Sequence, residues 1–258
     1  MERLLPPGTL EAFGLYLVRT SVLVLGSPIL GEGISLGAFK AALVFMLALL
    51  LYSVTGQPID PNIDAISFSF LALREVLIGA VFAYTMHLAM MALDVGGHMI
   101  GHEMALNMSA QADPVTGARK PLIANFYHTL FMMGILLVNG HHWLLKSLKE
   151  SFERAPVGEL HFGGGVNEVL LTFLREAFGA GLAFAAPMLV LLTLVSVLIA
   201  LLTRAVPQLN MMEFGFNLRV IGGLLAMFTF APVITPGMNR VLELLMQGLT
   251  AGLDALEG

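Results

Sequence analysis

The sequence predicts an all-α membrane protein whose helices are arranged as hairpins. Its 258 residues are 57% hydrophobic and only 12% charged, whereas ordinary soluble domains carry about 25% charged residues. Several apolar runs reach the length of about 20 residues that a helix needs to cross the hydrocarbon layer. Because backbone polar groups in lipid must be satisfied within the protein, we expect these runs to be helices.

The apolar runs give the order of the predicted helices, at residues 15–30, 36–54, 66–93, 122–139, 169–203 and 215–234. The second, third and last runs are long enough to span a membrane. The first is interrupted by Pro28, which predicts a half-helix or a segment lying against other protein. The fifth is too long for one span, and Pro187 predicts a kink within it.

Three segments separate these helices, at 57–64, 112–121 and 156–165, and each contains proline or glycine. A fourth, 203–214, joins two apolar runs and predicts the tip of a helical hairpin. The stretch 141–156 differs, because Leu144, Leu148 and Phe152 recur every fourth residue beside opposite charges at i,i+4. It predicts an amphipathic helix that lies either in the membrane interface beside Trp143 or on its own protein.

The composition also excludes several classes of function. The chain has no cysteine, so disulfides and thiolate metal sites are excluded. A net charge of −5 without a basic cluster excludes nucleic acid as a partner. The N-terminal residues lack a basic region leading into an apolar stretch, so we expect no cleaved signal peptide. Arg119 and Lys120 favour a cytoplasmic position for the loop 112–121.

Charged and small residues inside the apolar runs predict where helices meet. Arg74 and Glu75, and again Arg175 and Glu176, follow a leucine in the same LRE frame. We interpret both as intramembrane ion pairs, which either pair across an assembly interface or lie at a membrane boundary and extend to water. Small residues at i,i+4 spacing predict close helix contacts at Gly97–Gly101 and Gly79–Ala83.

The stretch 94–117, DVGGHMIGHEMALNMSAQADPVTG, allows two interpretations. Asp94, His98 and His102 share one face of a helix, which suits a divalent metal in a transporter or an intramembrane metalloenzyme. Glu103 points about 100° away from that face, so no general base converges with these ligands. Alternatively, the flexible methionines that follow predict a soft seal in a pore.

Five motifs make the chain resemble the FliR/SctT family of flagellar and virulence secretion proteins. They are REVLIG (74–79), GGHMIG (96–101), DPVTGARKPLI (113–123), NGHHWLLKSLKESFERAPVG (139–158) and RAVPQLNMMEFGFNLRVIGGLL (204–225). The motifs match the family in order over most of the chain, and the GHH element resembles the flagellar branch. The resemblance implies a FliP-like half, 1–160, joined to a FliQ-like half, 161–258.

The resemblance also implies a function and partners. Members form the core of the type III export gate of the bacterial inner membrane, at the flagellar basal body, together with FliP and FliQ. Contact with FlhB, proximity to FlhA and passage of unfolded flagellar subunits are expected, with no cofactor and no enzymatic activity. A virulence-type gate shares this mechanism with a different cargo.

The resemblance assigns roles to individual residues as well. It implies a pore plug after the glycine-rich helix, within 103–113, where Met108 stands in place of the family's phenylalanine. The expected plug residues are Met104, Leu106, Asn107, Met108 and Ser109. The expected contacts with partners at the hairpin tip are Arg204, Pro207, Gln208 and Asn210.

Overall fold

The computed structural model describes residues 6–28, 37–106, 121–158, 166–206 and 211–257. Within these ranges the regular structure is helical and no strand occurs, which confirms the all-α fold class. In chain order the helices are α1 (Thr9–Gly26), α2 (Gly37–Thr55), α3 (Ala65–Glu103), α4 (Leu122–Leu137), α5 (Gly140–Arg154), α6 (Val166–Ala205), α7 (Met211–Thr229) and α8 (Ala231–Glu257).

Among the described residues, four helices are long and apolar enough to cross a membrane, namely α1, α2, α3 and α6. The number rises to five if α4 and α5, which a short break separates, form one broken span. Helices α3 and α6 contain 39 and 40 residues, so each is about 60 Å long at about 1.5 Å per residue. Each is about twice as long as the hydrocarbon layer is thick.

Helix α1 differs from the half-helix that the run 15–30 predicted. It begins at Thr9 and continues for 18 residues. Gly8 precedes it in the left-handed conformation with φ 86°, where a side chain would overlap the carbonyl oxygen of Ile59. The helix ends at Gly26 because Ser27 is extended, as expected for a residue before proline.

The C-terminal helix α8 was not predicted from the sequence. The apolar run 215–234 is interrupted at Phe230, where α7 gives way to α8. Helix α8 is amphipathic and buries Val241, Leu244 and Leu245, as well as Leu249. These residues recur at helical spacing. Such periodicity predicts an amphipathic helix even where the residues do not form a continuous apolar run.

The described residues form two compact units. The first lies within 1–88, 138–174 and 245–258, and the second lies within 89–137 and 175–244. Each unit includes residues from both sides of residue 160. The division into halves 1–160 and 161–258 therefore does not separate compact bodies, and it stays a prediction about resemblance to two other proteins.

In the first unit, α1 and α3 approach each other through small residues. A Cβ atom added at Gly79 would lie 2.8 Å from the carbonyl oxygen of Arg19 and 2.9 Å from Cβ of Val22. One turn along α3, the Cβ of Ala83 would lie 2.9 Å from a Cβ added at Gly26. The small pair at 79 and 83 therefore faces α1, as helix association in lipid favours.

In the second unit, α3 contacts both α4 and α6 through glycines. A Cβ atom added at Gly97 would lie 2.5 Å from Cα of Ala124 in α4. A Cβ atom added at Gly96 would lie 3.0 Å from the carbonyl oxygen of Gly181 in α6. These contacts explain why the helix continues through the glycine-rich stretch, since close packing offsets the conformational entropy that glycine loses.

The amphipathic helix α5 packs on its own protein. It buries Leu144, Leu148 and Phe152 together with two serines, so the predicted apolar face is correct. Lys149 pairs with Glu153 at 2.7 Å and Arg154 pairs with Glu150 at 2.7 Å, two of the i,i+4 pairs that the sequence predicted. Lys146 lies 5.6 Å from the centroid of the Trp143 ring, at the distance of a cation–π contact.

Candidate functional site

A buried cluster of charges joins α1, α3 and α5, and we call Arg19, Arg74 and Glu75 the arginine cluster. Nε of Arg19 lies 2.5 Å from Oε2 of Glu75, and Nη1 of Arg74 lies 3.1 Å from Oε1 of the same carboxylate. The side chains of Arg19 and Glu75 are fully buried, and that of Arg74 is almost so. One carboxylate thus lies between two guanidinium groups.

The two arginines also bond to the end of α5. Arg19 donates from Nη1 to the carbonyl oxygen of Ser151 at 2.7 Å and from Nη2 to that of Ala155 at 2.9 Å. Arg74 donates from Nη1 to the carbonyl oxygen of Pro156 at 3.0 Å. Carbonyl oxygens at a helix C-terminus carry a partial negative charge, and that of Ser151 also accepts from the N–H of Ala155 at 3.0 Å. The arginines place positive charge against these carbonyl oxygens and fix the end of α5 to α1 and α3.

Aromatic side chains extend this contact. The ring of Phe152 stacks on that of Tyr16 with centroids 4.1 Å apart, and Cζ of Arg19 lies 4.1 Å from the Phe152 centroid. The hydroxyl of Tyr16 donates to the carbonyl oxygen of Thr55 at 3.1 Å. The end of α2 is therefore tied to the same contact.

The sequence interpretation placed Arg74 and Glu75 either at an assembly interface or at a membrane boundary. The structure places both inside the chain, where Arg19 joins them. Arg19 was missed, although a basic residue within an apolar run is the signal that selected Arg74. Arg175 and Glu176, in the same LRE frame, are exposed, and neither forms an ion pair with any residue that the structure describes.

The metal interpretation of Asp94, His98 and His102 finds no matching site. His98 and His102 are exposed on α3, whereas Asp94 lies 3.7 Å from Nδ1 of His128. Among the described residues, no group of three His, Asp or Glu side chains is placed to hold a metal ion. The shared helix face that the spacing predicted does not bring these three side chains to one ligand.

Met104, the first of the expected plug residues, is fully buried just beyond α3. A Cβ atom added at Gly223 in α7 would lie 2.5 Å from Cε, 2.6 Å from Cγ and 2.7 Å from Sδ of Met104. The thioether therefore lies directly over a position where α7 has no side chain. Leu106 is half-buried, and Asn107, Met108 and Ser109 lie outside the described residues.

A hydrogen-bonded turn ends α3 at this point. The N–H of Leu106 donates to the carbonyl oxygen of Gly101 at 3.0 Å, and that of Ala105 donates to His102 at 2.9 Å. This pair of bonds is a Schellman motif, whose left-handed residue is usually glycine. Here Ala105 occupies it with φ 59°, a conformation that alanine adopts only with strain.

Replacing Ala105 with glycine should therefore stabilise the detergent-solubilised protein by about 1 kcal/mol, because it relieves the left-handed strain. Thermal unfolding followed by circular dichroism measures the effect. Asn139→Gly is the matched control, since Asn139 also has a positive φ of 56° but asparagine tolerates it better. A melting temperature that changes no more for Ala105→Gly than for the control would contradict the prediction.

The predicted hairpin tip falls between α6 and α7. Helix α6 ends at Ala205 and α7 begins at Met211, so the connection is as short as the hairpin interpretation required. Arg204 is exposed in the last turn of α6, whereas Pro207, Gln208 and Asn210 lie outside the described residues.

The helices and their contacts define a polytopic, all-helical membrane protein. Small residues bring its helices together in both units, and buried ion pairs join helices in the first unit. The family model described as "Bacterial export proteins, family 1" matches residues 10–245. The chain belongs to this family, and its resemblance to FliR/SctT proteins is thereby confirmed.

Curated relatives agree with this assignment. The chain is 31% identical to the flagellar biosynthetic protein FliR of Escherichia coli (strain K12), over 85% of this chain and 84% of that protein. It is 28% identical to the FliR protein of Bacillus subtilis (strain 168), over 92% of each chain. It is 24% identical to the surface presentation of antigens protein SpaR of Shigella sonnei, over 78% of this chain and 76% of that protein.

Proposed function

We propose that this chain is a core subunit of the flagellar type III protein export gate in the bacterial inner membrane, at the basal body. It assembles with FliP and FliQ into the channel for unfolded flagellar subunits, contacts FlhB and lies near FlhA. The match of residues 10–245 to a family of bacterial export proteins carries the proposal. Its role is mechanical, and it performs no bond-making chemistry.

The lengths and surfaces of the helices support assembly with partners. Only 22% of the most apolar window of α6 and 17% of that of α2 are buried within the chain. Lipid can cover about 30 Å of an apolar helix, which is about half the length of α6. The remaining apolar surface needs protein, because large apolar patches facing water mark interaction sites.

Flagellar cargo is favoured over virulence cargo. The relatives named for flagellar biosynthesis reach 31% identity, whereas the relative named for surface presentation of antigens reaches 24%. The proposal therefore takes flagellar subunits as the exported chains.

Co-purification tests the assembly directly. The full chain is co-expressed with FliQ and affinity-tagged FliP, extracted in mild detergent and passed over the affinity column. We expect this chain and FliQ to elute with FliP as one complex, while an unrelated polytopic protein of similar length stays in the flow-through. If this chain also stays in the flow-through, as a stable monomer, the proposed role is contradicted.

The plug proposal assigns the channel seal to the segment containing Met104, Leu106, Asn107, Met108 and Ser109. Met108→Ala should raise ion leakage through assembled gates several-fold, because it removes the flexible thioether from the proposed constriction. Conductance of cells expressing the gate measures the leakage. Met133→Ala is the control, because Met133 is exposed on α4. Equal conductance for the two variants would rule out Met108 as a seal.

The hairpin tip, with Arg204, Pro207, Gln208 and Asn210, is proposed to face the channel entrance and contact partner subunits. A photo-crosslinking amino acid at position 208 should form adducts with an export component in intact membranes. The same amino acid at Phe126, which is half exposed on α4, provides the comparison. A tip position that yields no adduct with any export component would count against this placement.

A further inference from the structure

We propose that Met104 is a fixed anchor for the segment that follows α3, held by Gly223, and not part of the moving seal. The inference deepens the proposed function, because that segment contains the residues proposed to close the channel. It rests on the contact between the end of α3 and α7, which lie in the same compact unit.

Burial is the first support for an anchor. The side chain of Met104 is fully buried, and Gly223 beneath it is buried too. A side chain that closes a channel and parts for a passing polypeptide needs access to the channel. Instead, three side-chain atoms of Met104 lie within 2.7 Å of the position that a Cβ atom at residue 223 would occupy.

The backbone supports the same conclusion. Met104 donates its N–H to the carbonyl oxygen of Ile100 at 3.0 Å, so it still follows the helix. The chain changes direction only at the next residue, Ala105, with its left-handed φ. The Met104–Gly223 contact therefore precedes the turn, and together they set the direction in which the chain leaves at Leu106.

A disulfide tests the contact, because the chain has no cysteine of its own. Cγ of Met104 lies 2.6 Å from a Cβ at 223, and one carbon–carbon bond adds about 1.5 Å at most. Cysteines at both positions therefore have Cβ atoms close enough for a disulfide, which needs about 3.5–4.5 Å. The double variant Met104→Cys/Gly223→Cys is expressed in the full chain with its partners.

Copper–phenanthroline oxidises the two thiols in isolated membranes, and a maleimide reagent of high mass then counts the thiols that remain. We expect both thiols to be lost in most of the protein and to return after reduction. The matched control is Met104→Cys/Gly222→Cys, because a Cβ at Gly222 meets Val195 instead. Equal labelling of the two double variants after oxidation would overturn the Met104–Gly223 contact.

Export then separates an anchor from a moving part. With the disulfide closed, secretion of flagellar subunits should continue at the level of the reduced gate, because an anchor does not move. Secretion that stops on oxidation and resumes on reduction would overturn the anchor while leaving the plug proposal intact. If the disulfide forms but the parent chain does not co-purify with FliP, the contact stands and the proposed function is contradicted.

A second pair of variants covers the case in which the double cysteine chain does not assemble. Gly223→Ala places a methyl group against Met104, so the melting temperature should fall. Adding Met104→Ala removes the obstructing atoms, so the double variant should lose less stability than the sum of the single changes. Additive losses would show that the two residues do not touch.

Discussion

Replacing Glu75 with glutamine is expected to prevent the first compact unit from folding stably. The substitution preserves shape but removes the carboxylate between Arg19 and Arg74. Glu75 then no longer offsets the buried positive charges of Arg19 and Arg74. Breaking a buried ion pair by removing one partner costs about 3–5 kcal/mol, a large part of the stability of an ordinary domain, which is about 5–15 kcal/mol.

Arg19→Met should be less damaging than Glu75→Gln. Glu75 then keeps Arg74 as a partner, so no charge is left alone in the interior. The carbonyl oxygen of Ala155 loses a donor, and one buried hydrogen-bonding group left unsatisfied costs about 1–3 kcal/mol. Comparing the stability lost in the two variants tests whether charge compensation or hydrogen bonding to the end of α5 contributes more to the stability that the arginine cluster provides.

Trp143 provides the measurement. It is the single tryptophan of the chain. It lies in α5, and the arginines donate hydrogen bonds to the C-terminal end of this helix. Thermal unfolding monitored by its fluorescence should show a much lower midpoint for Glu75→Gln. Glu176→Gln is the matched control, because Glu176 occupies the same LRE frame but is exposed. Equal midpoints for the two glutamine variants would refute the stabilising role of the arginine cluster.

The positions of the helices could be predicted because length and hydropathy decide them in lipid. The run 36–54 became α2 at Gly37–Thr55, and the run 169–203 became α6 at Val166–Ala205. The end of α3 was not predictable in this way. It continues to Glu103 because Gly96 and Gly97 fit closely against α6 and α4, and such contacts depend on the tertiary structure.

The candidate site was predictable in its residue types but not in its contacts. An apolar run that contains Arg74 and Glu75 predicts buried charge. Nothing in the local sequence identifies Arg19, which lies 56 residues before Glu75, as the partner. Two identical LRE frames have opposite exposures. Burial is decided by which helix covers each frame, and this information is absent from a window of six residues.

Met104, the first of the expected plug residues, also makes a contact that the sequence does not predict. Its chemistry suits a soft seal, and the same flexibility suits a close fit over a glycine. The sequence contains Gly222 and Gly223 side by side but does not indicate which of them faces α3. Only the folded chain places Gly223 against the thioether and Gly222 against Val195.

Replacing Gly181 with alanine should be the most damaging single methyl addition in the second compact unit. The new Cβ would overlap the backbone carbonyl oxygen of Ala92 in α3, and a backbone group cannot move aside by changing rotamer. Helices α3 and α6 would have to separate along a contact that also includes Gly96 and Phe184. Overpacking of this kind costs about 1–3 kcal/mol, and the backbone contact favours the upper end.

Gly179, one half-turn earlier in α6, provides the control. A Cβ added there meets nothing within 4 Å, so Gly179→Ala should gain about 0.5–1 kcal/mol from the lower entropy of the unfolded chain. The two variants have the same composition and differ only in which face of α6 carries the methyl group. We expect the melting temperatures of the two variants to move in opposite directions. We also expect Gly181→Ala to be lost from the proposed complex when tagged FliP is purified. Equal shifts would mean that α3 and α6 do not rely on this close approach, because helix propensity alone would then account for both substitutions.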